Sequence, residues 1–210
     1  MRTTDPGALN AAAAAEKAER IYKVALTSFS EAIDFRRCIE ALEASNQADV
    51  LRSLEKANAA PAADLIRRAL FGRLLIGVMT AFDLPVKPND FHLRVGMDLV
   101  KEEIPRMLIL QRGGKLDDIE AAERRWADCL NFEPRKRLRS YRNKFVAHLS
   151  DPPAGMKDPI VSELFDLARM TAEVAELLAR GTGIGAELSL DSQVVPFRDS
   201  SLALWGKWKS

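Results

Sequence analysis

Apolar residues at three- and four-residue spacing, interrupted at prolines and glycines, restrict the fold of this sequence more than any other feature. The first run extends to Ala44 and contains Ile21, Val24, Ala25, Phe29, Ala32, Ile33, Cys38, Ile39 and Leu42. This spacing places the apolar side chains on one face of an α-helix. Asp5 and Pro6 suit the N-cap and the first helical position. We therefore predict one long helix, or two, over residues 6–44.

The same pattern predicts helices along most of the remaining chain. Residues 45–60 are polar and alanine-rich, which favours a short helix with loops. The further predicted helices cover residues 61–82, 90–110, 116–130, a segment with Pro134 in its first turn, and 159–180. Pro105 should bend or split the second of these, and Gly181 should stop the last. The sequence predicts an all-α fold.

Residues 61–82 have almost no polar face, so we predict that they form the central helix of the bundle. Gly72 and Gly77 lie inside this helix, where glycine lowers helix propensity. We expect another backbone to pack closely at these two positions. The run from Ala69 to Leu84 contains Arg73 and is too short and too charged to cross a bilayer.

After Gly181 the composition changes to Gly, Ser, Val and Pro. We interpret residues 181–210 as an arm or tail, in which residues 187–195 could form a small hairpin or an extended arm. Trp205 and Trp208 have two interpretations. The favoured one is docking on the bundle or on a partner subunit, and the other is a surface on which single-stranded bases stack.

Six cations and no acidic residue occupy the ten positions from Arg135 to Lys144. The segment continues to His148, six residues after Arg142. Histidine exchanges a proton near neutral pH, and arginine presents a planar donor fork to phosphate oxygens. A basic stripe with this pair suits binding and cutting a phosphodiester. The common alternative is a solvated basic face with a structural histidine.

At these residues the sequence resembles the HEPN superfamily of small helical nucleases. The family motif is Arg, a polar residue, four further residues and His, matched here by Arg142, Asn143 and His148. The wording RNKFVAH and the Asp-Pro turn after it are most similar to HEPN proteins of phage abortive-infection systems, the AbiU type. Leu65–Leu84 looks like the family's apolar helix that ends in an aspartate. A family subgroup carries a modified Tyr two residues after the His, where this chain has Ser150.

The resemblance implies an up-and-down helical bundle over residues 1–180, followed by the arm at 181–210. It implies metal-independent RNA cleavage through attack of the ribose 2′-hydroxyl on the neighbouring phosphate. His148 would be the general acid or base, Arg142 would stabilise transition-state charge, and Asn143 would orient the phosphate or the imidazole. The residues predicted to hold flanking phosphates are Arg135, Lys136, Arg139 and Lys144.

Arg142 and His148 do not meet easily on one straight helix, because six residues separate them by about 120° and about 9 Å. A distorted helix end or a second copy of the motif would solve this, and the resemblance implies a homodimer with the motif helices lining one cleft. His92, the other histidine, is expected at a helix start, and Tyr141 in the core. An antitoxin or another partner protein would fit a toxin.

Composition sets further limits on function. Lys and Arg number 31 and Asp and Glu 30, so RNA affinity must come from a local patch. We recognise no signal peptide, and Cys38 and Cys129 match no metal spacing, so we predict a cytoplasmic protein without metal or cofactor. Asp117-Asp118 and Glu102-Glu103 are expected as solvated or helix-start charges. The alternative function is a non-enzymatic helical module that binds RNA, nucleotide or a partner protein.

Overall fold

A computed structural model of the chain describes residues 6–87, 89–143, 160–184 and 189–207. Within these ranges the chain forms helices and no strands, which confirms the predicted all-α fold. The helices are α1 (Pro6–Ser45), α2 (Ala48–Lys56), α3 (Ala60–Thr80), α4 (Leu93–Leu99), α5 (Glu103–Gln111), α6 (Leu116–Asn131), α7 (Pro134–Tyr141), α8 (Val161–Gly181) and α9 (Leu190–Gly206).

Helix α1 is the longest element, and its 40 residues span about 60 Å. It packs against α3, α4, α5, α8 and α9. The predicted apolar stripe forms its buried face, where Ile21, Val24 and Ala25 are fully buried and Phe29 is 4% exposed. The predicted helical region is confirmed, and of the two alternatives, one long helix or two, the structure has one.

Among the helices longer than ten residues in the described part of the chain, α8 and not α3 is the most completely buried. More than half of its 21 residues are buried, including Leu164, Leu167 and Leu178. Helix α3 leaves Leu65 66% and Ile76 41% exposed, so the prediction that it is central was wrong. The apolar composition of α3 does not reveal which of its faces packs against another helix. No helix within the described ranges combines the length and apolar content that crossing a bilayer requires.

The two glycines inside α3 do not mark a close approach of backbones. A Cβ added at Gly77 would lie 2.7 Å from the Phe35 ring, so this glycine makes room for a side chain of α1. At Gly72 an added Cβ would meet nothing within 4 Å. The expectation of close backbone packing at these positions was therefore wrong.

The predicted segment 90–110 is split into α4 and α5. The break precedes Pro105, which lies in the first turn of α5, where its missing N–H costs no helical hydrogen bond. The start of α6 is linked to the end of α8 by a hydrogen bond: in the turn after α5, the Lys115 N–H donates to the Gly181 carbonyl at 2.8 Å. Gly113 and Gly183 have φ of +97° and +79°, conformations that favour glycine.

The C-terminal segment is helical from Leu190, so the expected hairpin or extended arm was wrong there. Helix α9 packs on α1, where Arg198 donates two hydrogen bonds of 2.7 Å to Glu40. Trp205 is 6% exposed and packs with Val50 and Leu54 of α2. The docking interpretation is confirmed for Trp205, whereas Trp208 lies outside the described residues.

Candidate functional site

Helix α7 carries the basic stripe and is attached to the bundle by few apolar contacts. Leu138 is its one fully buried residue, and Tyr141 packs partly buried against the core, as expected. Arg137 forms an ion pair with Glu163 of α8. After Tyr141 the chain widens into a π-helical turn at Arg142 and Asn143, a distortion often found at functional sites.

Arg142 is held by a carboxylate 59 positions earlier in the sequence. Its Nη1 donates to Asp83 Oδ2 at 2.7 Å and its Nη2 to Asp83 Oδ1 at 3.1 Å. The Arg142 side chain is 14% exposed and that of Asp83 32%. This two-pronged geometry fixes the plane of the guanidinium at the junction of α7 with the end of α3.

Asn143 belongs to the same cluster. The Arg142 Nε–H donates to Asn143 Oδ1 at 2.9 Å, so three of the five guanidinium N–H groups have partners. The structure thus brings together two of the three predicted catalytic residues. The third, His148, lies outside the described residues, as does Lys144.

Asp83 follows a rigid aromatic pair. The rings of Phe82 and Trp126 are stacked, and each residue is 2% exposed. Phe82 and Trp126 belong to the main core, in which α1, α3, α6 and α8 meet. Because these rings are buried and stacked on each other, the backbone that carries Asp83 has little freedom to move.

The four predicted phosphate-binding residues do not share one environment. The Arg135 guanidinium lies over the Phe82 ring at 5.4 Å and donates from Nη2 to the Leu130 carbonyl at 2.7 Å. Lys136 and Arg139 are exposed on the outer face of α7. Burial lowers the pKa of Arg135, and the nearby charges of Arg139 and Arg94 lower it further.

His92 occupies the N-cap position of α4, as expected, without a capping hydrogen bond from its side chain. Its Nδ1 is buried and has no hydrogen-bond partner among the described residues. Burial lowers the pKa of His92, while the carboxylates of Asp90 and Asp83 oppose this effect. Asp83 therefore acts on both His92 and Arg142.

Metal ligands are not grouped in the described part of the chain. No cluster of three or more His, Cys, Asp or Glu side chains there could hold a metal ion. Of the acidic pairs considered in the sequence, Asp117 and Asp118 lie in the first turn of α6, and Asp118 pairs with Arg180.

A family model described as AbiU2, of the HEPN type, matches residues 15–196. The chain belongs to the AbiU2 family of HEPN proteins. The match covers most of the sequence and includes Asp83, Arg142, Asn143 and His148. The curated proteins and the solved structures contain no match to this chain. Family membership supports an abortive-infection HEPN-type module.

Sequence reasoning about this AbiU2 protein did not assign a role to Asp83. The aspartate at the end of the apolar helix was noted, but nothing linked it to Arg142. The sequence feature that could have pointed to Asp83 is a lone carboxylate directly after a core aromatic residue and two positions before Pro85. A charge placed there lies at a helix end next to the core, where it needs a partner of opposite charge.

Proposed function

We propose that this AbiU2-family chain is a metal-independent endoribonuclease or toxin of a phage-defence or toxin–antitoxin type system. The observation that supports this most is the fixed guanidinium of Arg142 at the start of the Arg-Asn-x4-His motif. Electrostatic catalysis depends on charges that are already oriented before the reaction. Arg142 meets that condition because Asp83 and Asn143 hold it.

In the proposed reaction, the ribose O2′ forms a bond to the adjacent phosphorus and the P–O5′ bond breaks. The products are a 2′,3′-cyclic phosphate and a 5′-hydroxyl. His148 acts as the general acid or base in these proton transfers. Arg142 stabilises the charge on the phosphorane-like transition state with its two remaining N–H groups, and Asn143 orients the guanidinium or the phosphate.

RNA binding is assigned to the basic stripe of α7 and to the residue that follows Asn143. Lys136 and Arg139 are exposed and can contact phosphates directly. Arg135 is partly buried over Phe82, so it contributes to RNA binding through the positive electrostatic potential at the end of α3. Lys144 is assigned with them on the sequence alone.

We further propose that the active form is a homodimer in which α7 lies at or beside the two-fold axis. Two cationic helices repel each other unless a polyanion lies between them, so a shared cleft would favour RNA. An antitoxin or another partner protein would occupy the same cationic surface.

A second candidate function is a non-enzymatic module that binds RNA, nucleotide or a partner protein. The ion pair between Arg142 and Asp83 favours it, because the carboxylate already neutralises the guanidinium. In that case Arg142 would join α7 to α3 and would take no part in chemistry.

The two candidates separate in a cleavage assay with EDTA present. We expect wild-type protein to stop growth and fragment total RNA, and His148→Ala to lose both effects while keeping its melting temperature and RNA affinity. Proton transfer contributes ~10²–10⁴-fold to a rate, so the loss should be large. His92→Gln, which removes the other histidine, is the matched control and should keep cleavage. An active His148→Ala protein, or cleavage that requires a divalent metal, would exclude the proposed mechanism.

A further inference from the structure

Helix α4 brings an additional arginine to the site. The Arg94 backbone N–H donates to the Ala81 carbonyl at 3.0 Å, and its Nη1 donates to the Phe82 carbonyl at 3.4 Å. The guanidinium of Arg94 therefore lies at the end of α3, next to the backbone that carries Asp83. No sequence motif points to Arg94.

Arg135 approaches Phe82 from α7. Its guanidinium lies over the Phe82 ring, on the residue whose carbonyl accepts from Arg94. Arg94 is close enough to Arg135 to lower its pKa, together with Arg139. With Arg142 on Asp83, guanidiniums from α4 and α7 converge on Phe82 and Asp83.

Carboxylates do not balance this charge. Asp83 is taken by Arg142, and Arg94 has Asp98 at 3.5 Å, a residue that is 51% exposed. Among the described residues, Arg135 and Arg139 form no ion pair. Like charges this close destabilise the folded chain, and a bound anion would remove that repulsion.

Donors also remain for an anion. Among the described residues, Arg94 uses Nη1 and Nε, which leaves the N–H groups of Nη2. Its side chain is 31% exposed, so an external ligand can reach it.

We propose that Arg94 binds a phosphate group of the RNA backbone, so that the phosphate-binding surface extends from α7 across the end of α3 to α4. This inference rests on the proposed RNA binding, but it concerns affinity and not cleavage. The ligand chemistry is a phosphate oxyanion, and the two sources compared below are RNA and a free polyphosphate.

Binding is measured with a 2′-O-methyl RNA oligonucleotide, which cannot be cleaved by 2′-hydroxyl attack, at several salt concentrations. We expect Arg94→Gln to weaken binding about tenfold, the value of one charge-assisted hydrogen bond. The slope of log affinity against log salt should fall by about 0.7, the loss of one phosphate contact. Arg94→Lys should keep the slope but recover only part of the affinity, because it lacks the planar fork.

Arg68→Gln is the matched control. Arg68 pairs with Asp64 four residues away on α3, much as Arg94 pairs with Asp98, and it lies about 20 Å along the helix from Asp83. The change removes the same charge and should leave affinity and slope unchanged. Melting temperatures of all three variants show whether a loss of binding is a loss of fold.

A second measurement separates this inference from the proposed function. Tripolyphosphate should raise the melting temperature of wild type and of Arg68→Gln, and should raise that of Arg94→Gln less. If wild type cleaves no RNA but this difference appears, the anion site stands and the nuclease proposal falls. If Arg94→Gln matches wild type in RNA slope and in tripolyphosphate response, Arg94 is a structural residue and the inference is overturned.

Discussion

Phe82 and Trp126 lie face to face, with ring centroids 4.8 Å apart and planes 6° from parallel. This contact joins α6 to the residue directly before Asp83. It therefore connects core packing with the position of the carboxylate that holds Arg142. A change in the core at Trp126 should therefore alter the position of Asp83 in the candidate site.

We predict that Trp126→Ala lowers the free energy of unfolding by about 3–5 kcal/mol and also weakens cleavage at temperatures where the protein stays folded. The reason is that Phe82 loses its stacking partner and Asp83 loses its fixed position. Urea unfolding and RNA cleavage measure the two effects. Trp205→Ala is the control, because Trp205 is equally an aromatic core residue but packs on α2. It should destabilise the fold without a specific loss of cleavage, and equal losses in both variants would contradict the link.

Asp83→Asn should lower the free energy of unfolding by about 1–3 kcal/mol, because it leaves the partly buried guanidinium of Arg142 without its carboxylate. RNA affinity should stay the same or rise, since a cation is released, while cleavage should fall because Arg142 is no longer oriented. A double-mutant cycle with Arg142→Gln measures the coupling between the two side chains. Asp64→Asn breaks an exposed pair on α3 and should change little. Retained cleavage in Asp83→Asn would assign the pair to folding alone.

The folded protein should lose stability as the pH falls below the ordinary histidine value of 6.5. Burial lowers the pKa of His92 in the folded state, so between that lowered value and 6.5 the unfolded chain binds more protons. Stability therefore falls as the pH drops through this window, and the loss is complete once His92 is protonated in the folded state as well. The charges that act on the ring are those of Asp83 after α3, Asp90 of the loop before α4, Arg20 of α1 and Arg94 of α4.

Urea midpoints between pH 5 and pH 8 test this, in a His148→Gln background that removes the other histidine. His92→Gln should flatten the pH dependence in this window. An unchanged profile would place the acid sensitivity in other groups.

Arg198→Gln should destabilise the protein by about 1–2 kcal/mol, because the Glu40 carboxylate is 11% exposed and loses both hydrogen bonds. Those bonds lower the pKa of Glu40, so the stabilisation is complete above its ordinary value near 4.5 and is lost as the pH falls through the lowered one. Arg36→Gln removes a weaker contact on the same helices, since its partner Asp191 is 76% exposed at 3.4 Å. It should cost less than 0.5 kcal/mol. Equal effects of the two variants in urea unfolding would refute this distinction.

Helical periodicity predicted most of the described fold because the apolar residues that form the buried stripe of each helix lie close together in the sequence. Leu164, Leu167 and Leu178 of α8 follow the spacing and are buried as expected. Helix α9 escaped prediction because Pro196 and several serines and valines lower its helix propensity. Its burial depends on Leu190, Val194 and Trp205, which follow one another after four and eleven residues. This spacing indicates a shared face only if the segment is already taken to be helical.

The candidate site was predictable only in part. The motif residues Arg142 and Asn143 are adjacent in sequence, and their prediction as site residues rests on that local pattern. Asp83 and Arg94 come from other helices, and no pattern within a single helix indicates that they reach Arg142 or Phe82. Contacts of this kind depend on how helices cross, which single-sequence periodicity does not contain.

The length of α1 has a consequence for how the protein opens. Because this one helix contacts five others, exchange of its buried amide hydrogens with solvent requires the whole bundle to come apart. Helix α7 buries a single side chain completely, so its amides can exchange through a small local opening. The motif thus begins on a helix that opens easily, while the aspartate that holds Arg142 directly follows the buried core residues Ala81 and Phe82.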